Sequence, residues 1–164
     1  MFSPDLIARA TELIARYREA ALMAATAESC TGGLIAGLLT EIPGSSEMLE
    51  RGFVVYSNAA KQELLGVPAE TLANHGAVSA ETAVAMAEGA LRASRAEVAV
   101  SVTGIAGPGG GSAEKPVGLV HFACARRGRP TLAREERFGD IGREAVRLAS
   151  VKVGLDLLEA AAGP

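Results

Sequence analysis

The sequence is poor in cysteine, histidine and aromatic residues, and each shortage excludes a class of protein or site. Its two cysteines, Cys30 and Cys124, are too few for a disulfide scaffold and lack the paired spacing of zinc ligands. A reducing cytoplasm is therefore the expected compartment. Two histidines offer little material for a Ser-His-Asp triad. Because aromatic residues make up only 4% of the chain, the core must be built from Ala, Val, Leu and Ile.

A basic surface and long apolar runs are also missing. The formal net charge is −3, which argues against a nucleic-acid surface, since such a surface needs a basic stripe. No run of about 18 apolar residues occurs, and the N-terminus MFSPDLIARA lacks the apolar segment of a signal peptide. Neither a membrane span nor export is predicted. No linker divides the 164 residues, so we expect one domain spanning residues 1–164.

Helical and strand patterns alternate along the first two thirds of the chain. Ser3-Pro4 is typical of a helix start, and apolar residues then recur at helical spacing. Asn58 and Ser79 are expected to cap two later helices. Short apolar or β-branched runs between the helical patterns predict three strands. These runs are LMAATA (22–27), FVVYS (53–57) and EVAVSVT (97–103).

The last third of the chain has a different pattern. Two strand-like runs follow Gly118 and flank a turn at Gly128–Pro130, which predicts an antiparallel hairpin. A final helix is expected from about Asp140. We therefore predict an α/β protein, a three-layer α/β/α sandwich around a mixed, mostly parallel sheet that includes this late antiparallel hairpin.

A polar segment follows each of the three early strands. Because helical crossovers join parallel strands, all three segments are expected at the carboxyl edge of the sheet. Open α/β sheets bind their ligands at this edge. We therefore predict a site formed jointly by ESCTGG (28–33), YSNAAK (56–61) and TGIAGPGGG (103–111).

Ser29 in the first segment has two possible roles. It could cap a helix that begins near Cys30 or Thr31, or it could act as a nucleophile. Gly32 and Gly33 favour the second role, because paired glycines weaken a helix and allow a ligand to approach backbone N–H groups. Cys30 is the alternative nucleophile, since a thiol at a helix N-terminus can have a lowered pKa. As the neighbour of Ser29 it would point elsewhere, so we interpret it as a packed thiol.

The candidate base for Ser29 is Lys61. His75 and His121 are interpreted as structural, His121 at an exposed position of a hairpin strand. Lys61 lies one turn into the helix after Tyr56, at the same predicted edge as Ser29. Its pKa, near ~10.4 in water, must fall by about 3 for it to act as a base near neutrality. Burial without a carboxylate partner would have that effect. The alternative is an ordinary exposed lysine.

Two further features indicate a ligand. The segment 103–118 contains six glycines but matches neither the Walker nor the dinucleotide pattern. We interpret it as a ligand-enclosing loop with Thr103 and backbone N–H groups facing the ligand, although a flexible connection is the alternative. Arg143 lies in the first turn of the last helix, where the dipole disfavours a cation, so a bound anion would explain it. Asp140 or Glu144 could instead be its partner.

Together these motifs resemble the CinA carboxy-terminal domain family, whose characterised members are nicotinamide mononucleotide deamidases. The resemblance covers nearly the whole chain. The family usually reads GDR at the start of the last helix, whereas here FGDIGREAVR separates Asp140 from Arg143 by two residues. The matching motifs are AESCTGG, GSSEMLERGFVVYSNAAK, LGV, HGAVS and TGIAGPGGGSAEKPVG.

The resemblance implies hydrolysis of nicotinamide mononucleotide to nicotinic acid mononucleotide and ammonia, in pyridine-nucleotide salvage, without a metal or organic cofactor. It implies Ser29 as nucleophile, Lys61 as base, Tyr56 in their hydrogen-bonding network and Arg143 as the phosphate ligand. Family members are often dimers, so we expect a homodimer with a small nucleotide substrate and no nucleic-acid or membrane partner. The expected substrate-binding residues are Thr31, Gly32, Gly33, Ser46, Asn58, Thr103, Gly104, Gly109, Gly110 and Arg143.

Two other functions are consistent with the same motifs. The loops could bind a nucleotide phosphate in a regulatory module that catalyses nothing, or the enzyme could deamidate a different carboxamide. Release of ammonia separates the first alternative from an amidase, and a panel of carboxamides separates the second.

Overall fold

Residues 2–163, which the computed structural model of the protein describes, form a sheet covered by helices on both faces. The strands are β1 (Ala24–Glu28), β2 (Leu49–Val54), β3 (Val98–Gly104), β4 (Leu119–Arg126) and β5 (Leu132–Arg137). The helices are α1 (Pro4–Glu19), α2 (Leu34–Thr40), α3 (Asn58–Leu65), α4 (Ala69–His75), α5 (Ala80–Arg92) and α6 (Arg143–Ala161), with a 3₁₀ turn at Ser45–Glu47.

The strands lie in the order β2-β1-β3-β4-β5. β1 pairs in parallel with both β2 and β3, whereas β4 pairs antiparallel with β3 and β5. All strands except β4 therefore run in one direction. The predicted three-layer α/β/α sandwich, with a mixed sheet and a late antiparallel hairpin, is confirmed.

The two faces of the sheet carry side chains of different size. Val98, Val100 and Phe122 face the layer of α1, α2 and α6. The opposite face presents small side chains, among them Ala99 and Ala123, to the alanine-rich helix α5. Small residues allow α5 to pack close to the sheet. The scarcity of aromatic residues is consistent with this layer, whose buried members include no aromatic side chain.

Local signals place several helix ends correctly. The side chains of Ser3 and Ser79 accept hydrogen bonds from backbone N–H groups and cap α1 and α5. The cap of α3 was expected at Asn58 but is Ser57, whose Oγ accepts from the N–H of Ala60 at 3.0 Å. Asn58 instead begins the helix.

Two predicted boundaries are wrong, and both corrections affect the site. β2 was predicted at 53–57 but ends at Val54, because its pairing with β1 begins at Leu49 and the chain leaves the sheet after Val54. The residues after Val54 are thus free to turn toward α3. The last helix begins at Arg143 and not near Asp140.

Among residues 2–163, no helix is long and apolar enough to cross a membrane.

We predict that Gly89→Ala destabilises the protein. Gly89 lies in α5 where α5 crosses α3, and a Cβ at this position would overlap the backbone carbonyl of Leu65. Because a carbonyl cannot rotate away, overpacking should lower the free energy of unfolding by about 1–3 kcal/mol. Denaturant unfolding followed by circular dichroism measures the change.

Gly37→Ala in α2 is the matched control, since no atom of residues 2–163 outside its chain neighbours and its own helix backbone lies within 4 Å of the added Cβ. This change should raise the free energy of unfolding by about 0.5–1 kcal/mol, as expected for Gly to Ala in a helix. Equal effects of the two substitutions would contradict the proposed contact between α5 and α3.

Candidate active site

The segments that follow β1, β2 and β3 line one cavity of about 260 Å³ at the carboxyl ends of these strands. The chain leaves β1 toward α2 on one face of the sheet and leaves β2 toward α3 on the other. A crevice therefore opens between the two loops, as expected for this class of sheet. Of the residues predicted for the site, the cavity is lined by Ser29, Tyr56, Lys61, Thr103, Gly104, Gly109, Gly110 and Arg143.

Lys61 is the most unusual residue of the cavity, because its side chain is only 1% exposed. The Nζ atom lies 3.1 Å from Ser29 Oγ, 2.9 Å from the carbonyl oxygen of Val55 and 3.2 Å from that of Tyr56. The alternative of an exposed lysine is therefore wrong. The two carbonyls come from the chain that turns away after β2, so the early end of β2 creates the pocket for this nitrogen.

The surroundings of Lys61 favour the neutral amine. Burial lowers the pKa of Lys61 below its ordinary value, and among residues 2–163 no carboxylate lies within 4 Å of its Nζ. The two carbonyl oxygens can only accept hydrogen bonds, whereas the Ser29 hydroxyl can also donate. A neutral amine can donate its two hydrogens to the carbonyls and accept the hydroxyl proton. This arrangement can activate Ser29.

The other candidate nucleophile and bases are less suited to this chemistry. Burial raises the pKa of the Cys30 thiol to about 12, so the thiol stays protonated. Neither His75 nor His121 lines the cavity. The prediction that His121 is exposed is wrong, since β4 is an interior strand with both faces covered. Burial lowers the pKa of His121, and its nearest carboxylate, Glu135, is 3.8 Å away.

The turn between β1 and α2 presents Ser29 in a way that the sequence did not predict. Ser29 does not cap a helix at Cys30 or Thr31, because α2 begins only at Leu34. The cap is supplied by the carboxylate of Glu28, which accepts hydrogen bonds from backbone N–H groups of α2. The Ser29 hydroxyl is therefore left free to face Lys61.

Three residues predicted to bind substrate belong to this turn and not to the cavity wall. The Thr31 hydroxyl and the Gly33 N–H donate to Glu28, at 2.6 and 3.2 Å, and the Gly32 N–H donates to the Ser29 carbonyl at 3.0 Å. Gly32 and Gly33 have φ values of +61° and +96°, which L side chains rarely adopt. The glycines are needed for the shape of the turn, and their N–H groups donate to Glu28 and to the Ser29 carbonyl.

Backbone N–H groups of other residues do remain available. The N–H groups of Cys30, Gly107, Gly109 and Gly110 have no acceptor in another residue of 2–163, and all four residues line the cavity. Such groups can stabilise a developing oxyanion or bind a phosphate. Thr103 lies at the same wall, where its hydroxyl donates to the Ala77 carbonyl at 2.7 Å.

Arg143 and Tyr56 lie at the mouth of the cavity. The Arg143 guanidinium donates to the Gly107 carbonyl at 2.9 Å and to the Tyr56 hydroxyl at 3.2 Å. Asp140 and Glu144, the alternative partners, lie more than 4 Å from it, as does every other carboxylate of residues 2–163. A cation without a carboxylate partner at this position is suited to an anionic ligand.

Two further predicted site residues lie outside the cavity. Ser46 is in the 3₁₀ turn that precedes β2, at the amino ends of the strands and thus at the opposite edge of the sheet. Asn58 is exposed at the start of α3. Within the described chain, no group of three His, Cys, Asp or Glu side chains is close enough to hold a metal ion.

The roles of Glu28 and Arg147 were not predicted from the sequence. Glu28 is fully buried behind Ser29, and Arg147 of α6 donates to the carbonyls of Cys30 and Thr31 at 3.2 and 3.1 Å. A signal for Glu28 was present, because an acidic residue shortly before a helix is a common partner of helix N-terminal N–H groups. No local signal marks Arg147, which reaches the turn from the other end of the chain.

Known proteins resemble this chain over most of its length. Nicotinamide-nucleotide amidohydrolase PncC of Escherichia coli is 56% identical over 134 residues, which cover 81% of this chain and 80% of that protein. A CinA-like protein of Anaeromyxobacter dehalogenans is 52% identical over 159 residues, 96% of this chain but 37% of that protein. The chain spans 28% of a relative from Caldicellulosiruptor bescii.

Solved structures and the family assignment agree with this resemblance. The crystal structure of competence/damage inducible protein CihA from Agrobacterium tumefaciens matches with a TM-score of 0.96 at 57% identity, covering 98% of this chain and 97% of that one. The family model described as CinA C-terminal domain matches residues 7–162. This chain therefore belongs to the CinA C-terminal domain family.

Proposed function

We propose that the protein is an amidohydrolase that converts nicotinamide mononucleotide into nicotinic acid mononucleotide and ammonia. The observation that carries the proposal is the 3.1 Å contact between the buried Lys61 Nζ and Ser29 Oγ inside the cavity. The substrate is supported by the E. coli relative, which is named nicotinamide-nucleotide amidohydrolase PncC. A seryl nucleophile paired with a neutral amine is suited to acyl transfer.

The first half of the reaction forms an acyl-enzyme. Lys61 accepts the Ser29 proton as Oγ attacks the carboxamide carbon, and the carbonyl oxygen becomes an oxyanion. The N–H groups of Cys30 and Gly107 are the candidate donors to this oxygen. Lys61 then returns the proton to the amide nitrogen. The C–N bond breaks, ammonia leaves and an ester of Ser29 remains.

The second half releases the acid. Water enters the place that ammonia has left, and Lys61 accepts one of its protons as the oxygen attacks the ester carbon. The second tetrahedral intermediate collapses, the C–Oγ bond breaks and the proton returns to Ser29. Lys61 thus serves as base and acid in turn, so each half of the reaction restores its neutral amine.

The charge of the cavity supports an anionic substrate. Among residues 2–163, the lining contains the cation Arg143 and the amine of Lys61 but no carboxylate. We assign the phosphate to Arg143 and to the N–H groups of Gly109 and Gly110, while Tyr56 orients the guanidinium. We assign Thr103 and Gly104, which line the cavity, to the wall behind the pyridine ring.

The proposal also includes the domain organisation, compartment, oligomeric state and cofactor requirement, which the geometry of the site does not test. We propose that residues 1–164 act as a single amidohydrolase domain, that the protein is a cytoplasmic homodimer, and that no metal or organic cofactor takes part. These remain predictions from the family resemblance. The proposal of a small-molecule substrate does not depend on these properties, because the residues that line the cavity all belong to one chain.

Ser29→Ala and Lys61→Met should each reduce ammonia release from nicotinamide mononucleotide by at least about 10³-fold, because the nucleophile or its base is lost. The measurement is a coupled ammonia assay on variants whose folding is verified by circular dichroism. Lys152→Met changes an exposed lysine of α6 and is the matched control. Saturable nucleotide binding without ammonia release by the wild type would instead indicate a regulatory module.

The rate should rise with pH. Lys61 is active as the neutral amine, and its lowered pKa makes this form abundant at a lower pH than for an ordinary lysine. We expect kcat/KM to rise through an inflection below the ordinary lysine pKa of 10.5 and then to reach a plateau. Initial rates over a pH series within the range of stable folding measure the profile. A rate that falls over this range would contradict Lys61 as base.

Arg143→Gln should weaken binding of the nucleotide more than that of the nucleoside. A charge-assisted phosphate contact accounts for about 1.5–3 kcal/mol, so KM for nicotinamide mononucleotide should rise about 10- to 100-fold. KM for nicotinamide riboside, which lacks the phosphate, should change little. Arg129→Gln alters an exposed arginine outside the cavity and controls for net charge. Equal changes for both substrates would place the phosphate elsewhere.

A further inference from the structure

We propose that Glu28 is a positioning residue for Ser29. Its carboxylate holds the turn of residues 29–33 in the one shape that presents the Ser29 hydroxyl to Lys61. The inference rests on the proposed role of Ser29 as nucleophile, and it goes beyond that role because it assigns the orientation of the nucleophile to a residue that does not touch the substrate.

The contacts of Glu28 are all directed at this turn and the helix that follows it. Oε2 accepts from the Thr31 hydroxyl at 2.6 Å and from the N–H groups of Gly33 and Ile35 at 3.2 and 3.0 Å. Oε1 accepts from the N–H of Ala36 at 2.9 Å. The side chain is fully buried. One carboxylate therefore binds the turn and the first residues of α2 at the same time.

Glu28 itself is fixed by the sheet. It is the last residue of β1 and pairs with Val54 of β2 and with Val102 of β3. Its backbone carbonyl accepts from the N–H of Val55 at 2.8 Å, just before the carbonyls that contact Lys61. The position of the carboxylate is thus determined by the same three strands that carry the rest of the site.

Arg147 holds the opposite side of the turn. Its guanidinium donates to the carbonyls of Cys30 and Thr31, while Glu28 accepts from N–H groups of the turn and of α2. Because Arg147 binds carbonyls of the turn and Glu28 binds its N–H groups, the turn has few backbone polar groups without a partner. The N–H of Cys30 is one, and it belongs to the residue directly after Ser29.

The turn needs such support because it has no regular structure of its own. Gly32 and Gly33 adopt left-handed conformations, and glycine allows many other shapes at little energetic cost. Without the carboxylate, the N–H of Ile35 would be buried without an acceptor, and that of the half-buried Gly33 would draw the turn toward water. A displacement of about 1 Å at a nucleophile can reduce the rate by about 100-fold.

Glu97 provides a matched control for a carboxylate that has only a structural role. Its Oε2 accepts from the N–H of Met23 at 2.7 Å at the amino ends of β1 and β3, the edge of the sheet opposite the cavity. Glu97→Gln should therefore lower the melting temperature without changing catalysis. Glu28→Gln keeps the size of the side chain but replaces one acceptor oxygen by an amide that can only donate.

The experiment measures two quantities for the wild type, Glu28→Gln, Thr31→Val and Glu97→Gln, well below the melting temperature of each. The first is kcat and KM for nicotinamide mononucleotide. The second is the rate at which a fluorophosphonate labels Ser29, which measures the reactivity of the nucleophile independently of the substrate. We expect Glu28→Gln to lower kcat and the labelling rate at least 10-fold with KM within threefold, and Thr31→Val to lower both rates about threefold.

A folded Glu28→Gln variant with the labelling rate of the wild type would overturn the inference, as would equal losses of kcat in Glu28→Gln and Glu97→Gln. If Glu28→Gln does not fold, Thr31→Val decides, and an unchanged labelling rate in that variant overturns the inference. A wild type that is labelled but releases no ammonia would refute the proposed substrate while leaving Glu28 testable by labelling. A wild type that is neither labelled nor active would contradict both the proposed function and the inference about Glu28.

Discussion

Lys61 carries its side-chain nitrogen into the interior, where it meets two carbonyl oxygens and the hydroxyl of Ser29. An ammonium ion in this place has no carboxylate within 4 Å among the described residues, so burial disfavours the charged form. The rest of the site follows from this constraint. A neutral amine requires a hydrogen-bond donor as its third neighbour, and the Ser29 hydroxyl is the group that can donate.

The scaffold holds these two side chains on different elements and fixes the distance between them. Lys61 belongs to α3, which packs on α5, and Gly89 allows the two helices to touch at Leu65, one turn after Lys61. Ser29 belongs to the turn after β1, which Glu28 and Arg147 hold from two sides. The small residues on one face of the sheet therefore affect function, because they determine how closely α5, and with it α3, can approach.

The cavity divides its tasks between side chains and backbone. Side chains supply the nucleophile, the base and the cation at the mouth, whereas the glycine-rich loop supplies N–H groups that no part of the described chain accepts. Backbone donors suit an oxyanion or a phosphate because they are rigid and cannot titrate. The supply of free N–H groups therefore explains why the segment 103–118 is rich in glycine, although it matches neither of the common phosphate-binding patterns.

The sequence alone determined those features that depend on neighbours in the chain. The helix caps at Ser3 and Ser79, the hairpin after Gly118 and the convergence of three loops at one edge all follow from local patterns and the rules of strand connection. Only the tertiary structure decided the features that depend on burial. It buried Lys61 and His121, excluded Ser46 from the cavity, and brought Glu28 and Arg147 to the same turn. Burial and long-range contacts depend on which elements pack together, and a linear pattern does not contain that information.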